Sequence, residues 1–398
     1  MSRGVTDEDL SELISALKEV EDPRVVGRSK HLLLDVLVII VCGVLCRAET
    51  IKEIAEYAED RQDWFARFLE LPNGIPSHDT IGRVLYLIDP IKLEEIFSRW
   101  VQSILQIKVT SISIDGKSSK GTERQFNGKS RPLHLVSAYS HELGLTLCQA
   151  ASPSSGNAEA DAAIECLKQL DLTNVTVTAD AGLNSKKVIQ QINSQKGHYI
   201  VPIKTNHKNC YSELEALFDS KNGTTKTSID RGHGRHERRK AYMLSAKNMS
   251  ERFLEKWPSA KVVFALSRTR QEEDKRYVVQ TTGDDGKQTY KINGGKVKKS
   301  ESLTYYVSSK QMTPEEALAE VRAHWEIENG LHWVLDVAFR EDAWTVKAKR
   351  TARNLSLVRK MALNIIRAHP YKASIRIKMK KAGWNTDFLE ELIFGRKI

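Results

Sequence analysis

Near Lys108 the chain passes from helical to strand-like patterning, and the order of the elements beyond that point leaves few folds open. Three segments rich in β-branched residues come in succession: VTSISIDG, LHLVSAYS and LGLTLCQA. The turn HELG separates the last two, so the three read as consecutive antiparallel strands. A helical stretch from Asn157 to Leu170 comes next, then a buried strand VTVTADA, a helix from Ser185 to Gln195 and a strand HYIVPIK. Read in sequence, these elements run βββαβαβ.

That order is the order of a ribonuclease-H-like core, which makes the expected fold class α/β. Residues 1–105 read as an all-helical domain: an apolar run from Leu32 to Cys46, then IKEIAEYAEDRQDWFARFLE with apolar residues three and four apart, then a break at LPNGIPS. Ser77 is placed to cap a helix through HDTIGRVLYLI. Residues 106–205 form the first part of the core, and residues 206–305 an inserted β-rich module with strands such as KVVFALSR and KRYVVQTT and a polar link, GDDGKQTYKINGGKVKKSE. Helical periodicity returns over residues 306–370, opened by the capping box TPEE, and residues 371–398 read as a basic tail.

Lys and Arg number 61 against 51 Asp and Glu, a net charge of +10 that suits a polyanionic partner. The Leu32 to Cys46 run is interrupted by Asp35 and is shorter than the roughly twenty residues a membrane span needs, so it reads as a buried helix. The start, MSRGVTDEDL, has no apolar stretch behind a basic patch, so no signal peptide is expected and the protein is assigned to the cytoplasm. Cys42, Cys46, Cys148, Cys166 and Cys210 form no CxxC pair, and neither a disulfide nor structural zinc is expected.

The chemistry points to carboxylates. Asp115 is expected at the end of the strand in SISIDGKSSKG, before a glycine that permits a sharp turn or a close approach, and Asp180 at the end of VTVTADAG. In a βββαβαβ core the first and fourth strands are neighbours, so their ends bring two carboxylates together, where hard oxygen ligands select magnesium or manganese. A third carboxylate would complete a two-metal site. The helix AEVRAHWEIENGLHWVLDV offers Glu320, Glu326, Glu328 and Asp336. At 100° per residue Glu328 shares a face with His324 and His332 while Glu326 points away, so Glu328 is preferred. The stripe HxxxExxxH lacks the HExxH order of a zinc site. Trp325 and Trp333 are read as core residues.

These segments together resemble the DDE transposases of bacterial insertion sequences, in particular the H-repeat-associated protein type. The pieces that carry the resemblance are LKEVEDPRVVGRSKHLLLDVLVI, NGIPSHDTIGRVLYLIDP, SISIDGKSSKG, LHLVSAYS, VTVTADA, HGRHERR and HWEIENGLHWVLDVAFREDAW. The resemblance implies Asp115, Asp180 and Glu328 as catalytic metal ligands holding two magnesium ions, with manganese as a substitute. Where related transposases carry Tyr, Arg and Lys around the glutamate, this chain has Val321, His324 and Leu335, and the phosphate contacts are assigned to His324, His332 or Lys347.

Further DNA contacts are expected at Lys117 and Lys120, at Arg235, Arg238 and Arg239 of the glycine-punctuated RGHGRHERRK, and at Arg350 and Arg353 of KAKRTARN. The expected function is metal-dependent cleavage at element ends and strand transfer into target DNA. The expected partners are double-stranded DNA, as terminal inverted repeats and target, and a second copy of the chain in a synaptic homodimer. Membrane association is not expected, and the protein is expected at the nucleoid when DNA-bound. The alternatives are a ribonuclease-H-like nuclease that cuts without joining and a catalytically silent DNA-binding protein derived from a transposase.

Overall fold

The computed structural model describes residues 12–395 except 26, 105–108, 124, 127–128, 131, 153–157, 220–222, 233–234, 274–276, 283–287, 294–296 and 345. The fold is mixed α/β and divides into two compact units. The first comprises residues 1–177, 194–197 and 324–398, and the second residues 178–193 and 198–323.

In the first unit the strands β1 (Ser111–Ser119), β2 (Leu133–Ser140) and β3 (Leu145–Ala151) pair antiparallel, as the sequence predicts. The start of β4 (Thr176–Ala179), residues 176–177, belongs to this unit and lies beside β1, giving the order β3-β2-β1-β4. Thr176 N donates to Thr110 O at 2.9 Å. The first and fourth predicted strands are therefore neighbours. A short hairpin, Gln125–Phe126 with Lys129–Ser130, lies between β1 and β2 in the chain and was not evident in the sequence.

The apolar run becomes the helix Leu33–Leu45, apolar on every side and buried on every side. Its one charged residue, Asp35, is buried and accepts from Leu71 N at 2.9 Å. Burial raises the pKa of this carboxyl. Ser77 caps the helix His78–Leu87 by accepting from Thr80 N at 3.4 Å, as expected. The long helix Lys349–Ala368 packs on Leu33–Leu45, His78–Leu87 and Pro90–Ile104 and on β3. Asn364 fixes its register, donating to Thr146 O at 2.8 Å and accepting from Thr146 N at 3.0 Å.

Two expectations need correction in this unit. Cys148 of β3 and Cys166 of the helix Ala158–Lys168 form a disulfide, with Cα atoms 5.9 Å apart. Their 18-residue separation gave no hint that the helix folds back over that strand. The stretch expected as a basic tail is two helices, Ile375–Trp384 and Thr386–Phe394. Lys378 of its RIKMKK motif is buried, donating to Ile366 O and His369 O at 2.9 and 2.7 Å.

The second unit contains β5 (His198–Ile203), β6 (Thr224–Gly232), β7 (Arg235–Ser245), β8 (Val262–Glu273), β9 (Tyr277–Thr282), β10 (Gln288–Asn293) and β11 (Val297–Ser308). Five of them run in the order β5-β11-β8-β7-β6, and β9 pairs with β10. The expected polar link therefore contains β10 and the start of β11, while residues 283–287 and 294–296 lie outside the described residues. Helices Lys208–Phe218 and Glu251–Lys256 were also missed in the sequence. The capping box is present: Thr313 N donates to Glu316 Oε2 at 2.7 Å and Glu316 N to Thr313 Oγ1 at 3.3 Å, opening the helix Pro314–His324. Leu318 and Val321 of that helix pack on Met243, Val262 and Phe264.

Candidate metal centre

Asp115 lies in the middle of β1, opposite Ser137 of β2, and not at the strand's end as the sequence suggested. The buried pattern stops at Ile114, but backbone pairing continues to Ser119. Gly116 follows because any Cβ there would meet the Glu159 carboxylate and the His134 imidazole. Those two groups pair at 3.0 Å, and His134 Nδ1 lies 2.9 Å from Ser118 Oγ. Successive side chains alternate across a strand, so this packing fixes β1 from the face opposite Asp115.

Glu328 and His332 are carried by a π-helical turn, Ile327–His332. Ile327 and Leu331 are buried and anchor the turn. Gly330 sits against the Tyr139 hydroxyl with no room for a Cβ. Arg367 donates to the Tyr139 hydroxyl at 3.1 Å and also to Gly330 O. His332 Nδ1 lies 3.6 Å from Asp115 Oδ2 and 3.6 Å from Glu328 Oε2. The ligand atoms of Asp115, Glu328 and His332 all fall within 4.8 Å of one another. The His332 imidazole, opposed by burial, holds the Glu328 carboxyl below its ordinary pKa. Glu326 is exposed, and its charge acts on Tyr139 and Arg367.

Next to this trio stands a closed charge cluster. Lys117 is 13% exposed, and its Nζ lies 2.8 Å from Asp336 Oδ1, 3.1 Å from Glu341 Oε2 and 3.2 Å from Asp342 Oδ1. Glu341 is 3% exposed and accepts from Ser356 Oγ at 2.7 Å. Burial alone would raise its pKa, but Lys117, Arg359 and Lys360 bring it down to about 2. Gly121 lies against the Trp344 carbonyl, where a Cβ would collide. The motifs IDGKSSKG and FREDAW, far apart in sequence, thus fold against each other.

Two family models match the chain, one described as DDE_Tnp_1-associated over residues 14–101 and one as Transposase DDE domain over residues 107–365. The chain belongs to the DDE transposase family. It is 32% identical over 395 residues to YncI of Escherichia coli O157:H7, which carries a provisional transposase name; the match covers 96% of this chain and 95% of that one. It is 29% identical over 399 residues to YhhI of Escherichia coli strain K12, provisionally named as an H repeat-associated transposase, covering 97% and 99% of the two chains. Among solved structures it is similar to a piggyBac transposase synaptic complex with hairpin DNA, with a TM-score of 0.42 and 10% identity over 98% of this chain and 79% of that one.

In this DDE transposase chain the other residues singled out in the sequence fall into several settings. Asp180 belongs to the second unit, follows the end of β4, and lies with its Oδ1 3.1 Å from Lys204 Nζ. Lys117, expected at DNA, is enclosed by carboxylates, whereas Lys120 is exposed beside Asp342. His332, expected among the phosphate contacts, is instead buried against Asp115 and Glu328, and His324 is partly buried. Arg353 pairs with buried Glu94 through bonds of 2.8 and 2.6 Å, and Arg350 donates to Ile88 O and Leu87 O. Both fasten the Lys349–Ala368 helix to neighbouring helices. Lys347 is exposed and reaches Glu123 O at 3.4 Å.

In the second unit Arg239 is paired with Asp230 and Glu237 at 2.7 and 2.6 Å, while Arg238 is exposed and the side chain of Arg235 lies outside the described residues. Trp325 and Trp333 are not core residues: they are 57% and 61% exposed. Ile327, Leu331, Val334 and Leu335 take the buried face of this segment.

Proposed function

We propose that this transposase cleaves DNA at the ends of its element and joins the freed 3′ ends to target DNA, with Asp115, Asp180 and Glu328 as the carboxylates of a two-metal centre. The observation that carries this reading is the meeting of Asp115 and Glu328 beside a buried histidine in a chain of the DDE family. The donor set fits a divalent cation, since carboxylate oxygens suit magnesium and manganese and two carboxylates this close favour a cation between them. When bound, two such ions supply Lewis-acid activation of the attacking water or 3′ hydroxyl and stabilise charge on the leaving oxygen.

The chain's own contribution is position. Gly116 lets β1 lie close against His134 and Glu159, which orients Asp115, and Arg367 holds the turn that presents Glu328. Asp180 is assigned as the second Asp on the motif pattern of the family. Residues 106–205 and 306–370 are read as a ribonuclease-H-like core interrupted by an insertion at 206–305. The helical residues 1–105 are assigned to the terminal inverted repeats, because a helix in the major groove reads base edges whereas phosphodiester chemistry carries little sequence information. Synapsis of two ends is assigned to a homodimer.

The test uses labelled terminal-repeat DNA with magnesium or manganese. Wild type should nick it, and a labelled pre-cut end should appear in longer joined products. Nicking without joining would favour a nuclease; binding with neither would favour a silent DNA-binding protein.

A further inference from the structure

His332 is 6% exposed, deeper than either carboxylate it faces. Its Nδ1 stands 3.6 Å from an oxygen of each, beyond the roughly 3.2 Å limit of an N–H···O hydrogen bond. Its Nε2 is buried with no hydrogen-bond partner among the described residues. Burying polar atoms in this way costs free energy that an apolar side chain of similar size would avoid. A residue kept for packing alone has no use for the nitrogens, and one kept for a DNA phosphate has no business under the surface. A protonated imidazole acting only as counter-ion would close to hydrogen-bonding length on at least one carboxylate.

The spacing has a better account. Ligand atoms that share one cation at about 2.1–2.2 Å stand ~3 Å apart in adjacent octahedral positions and ~3.5 Å apart at the corners of a tetrahedron. The nitrogen stands 3.6 Å from each oxygen, near the tetrahedral figure, and all three ligand atoms lie within 4.8 Å of one another, on a strand and a turn each fixed by packing from behind. Imidazole nitrogen favours transition metals, whereas magnesium favours an all-oxygen shell.

We propose that His332 is itself a ligand of the metal centre, making it a mixed carboxylate–imidazole site that takes manganese in preference to magnesium. The proposal rests on the metal-centre reading above and adds to it the nitrogen and the metal preference.

The experiment is pulsed electron paramagnetic resonance on the full-length protein titrated with manganese chloride. The expected result is nuclear modulation from a coordinated imidazole nitrogen in the wild type, altered when histidine carries the heavier nitrogen isotope. His332→Gln should remove the modulation and weaken manganese binding about tenfold or more, with magnesium binding, measured by competition, changed less. His324→Gln should leave the modulation in place. The proposal is overturned if the modulation survives in His332→Gln, if it depends on His324, or if bound manganese shows no nitrogen coupling. In that last case, loss of manganese binding in Asp115→Asn would leave the carboxylate centre standing without its imidazole. A wild type that binds no manganese overturns both readings. Should His332→Gln fail to fold, the isotope comparison in the wild type still decides.

Discussion

Asp115 and Lys117 are two residues apart on one face of β1, and each gathers charged groups from the segment 328–342. Around Asp115 the groups are one carboxylate, Glu328, and one histidine, His332, whose Nδ1 stands 3.6 Å from an oxygen of each acid. Around Lys117 they are three carboxylates at 2.8–3.2 Å, one of which, Glu341, also faces Arg359 and Lys360. The second cluster supplies its own counter-charge at contact distance. The first sets an imidazole nitrogen 3.6 Å from an oxygen of each of two carboxylates. Acidic residues of similar appearance in the sequence thus stand in different electrostatic settings, and amide substitution should separate them.

The largest effect is expected at the first cluster. Asp115→Asn, Asp180→Asn and Glu328→Gln should each reduce cleavage on the order of 10³-fold, equivalent to losing about 4 kcal/mol of transition-state stabilisation. Thermal unfolding midpoints of the Asp115 and Glu328 variants should change little, because the amide keeps the shape of each side chain and Glu328 is 53% exposed. A loss of folding in these variants, or full activity in Glu328→Gln with loss in Glu326→Gln, would erase the distinction between the clusters.

Glu341→Gln should do the reverse. Removing one partner of a buried ion cluster typically costs about 3–5 kcal/mol, because the remaining charges stay buried without compensation. The expected readout is a large drop in unfolding midpoint, with residual cleavage at low temperature if the protein remains folded. An unchanged midpoint would show that Asp336 and Asp342 suffice to neutralise Lys117.

The same cluster predicts a pH dependence of stability. The Glu341 carboxyl titrates at about 2 in the folded chain, below its ordinary value of 4.5. Its contribution is therefore fully present above that ordinary value and is lost as pH falls toward 2, amounting to roughly 3 kcal/mol. Acid denaturation of Glu341→Gln should be less steep over that window than in wild type. Parallel acid limbs would refute the assignment.

Much of this architecture was legible in the sequence. Short runs rich in β-branched residues placed the strands β1 to β5, the uniformly apolar run placed a buried helix, and Ser77 and Thr313 announced their helices. Glu328 was separable from Glu326 because i,i+4 spacing keeps it with His332 even though the turn is π-helical. What stayed hidden depends on tertiary neighbours. Nothing local shows that pairing of β1 runs past Asp115, that Cys148 meets Cys166, or that Lys117 is reserved for FREDAW. Trp325 and Trp333 were misplaced because hydrophobicity alone does not say which side of a short turn four buried aliphatic residues will claim.

The basic stretches carry the comparison of engaged and free charge to its smallest expected effect. KAKRTARN and RGHGRHERRK look alike in composition, yet Arg353 is locked to Glu94 and Arg239 to Asp230 and Glu237, while Arg238 is exposed. A guanidinium already paired with a buried carboxylate cannot release DNA counterions without breaking that pair. An exposed one can, and each phosphate contact contributes about 0.9 to the slope of log affinity against log salt. Arg238→Ala should therefore lower the slope by roughly one unit with little change in unfolding midpoint. Arg353→Ala should leave the slope alone and lower the midpoint, since it strands Glu94 in the interior. Binding isotherms over a range of salt concentrations decide between them. If Arg353→Ala changes the slope and Arg238→Ala does not, the Glu94 pair opens on DNA, and burial in the free protein is no guide to which cations this transposase uses.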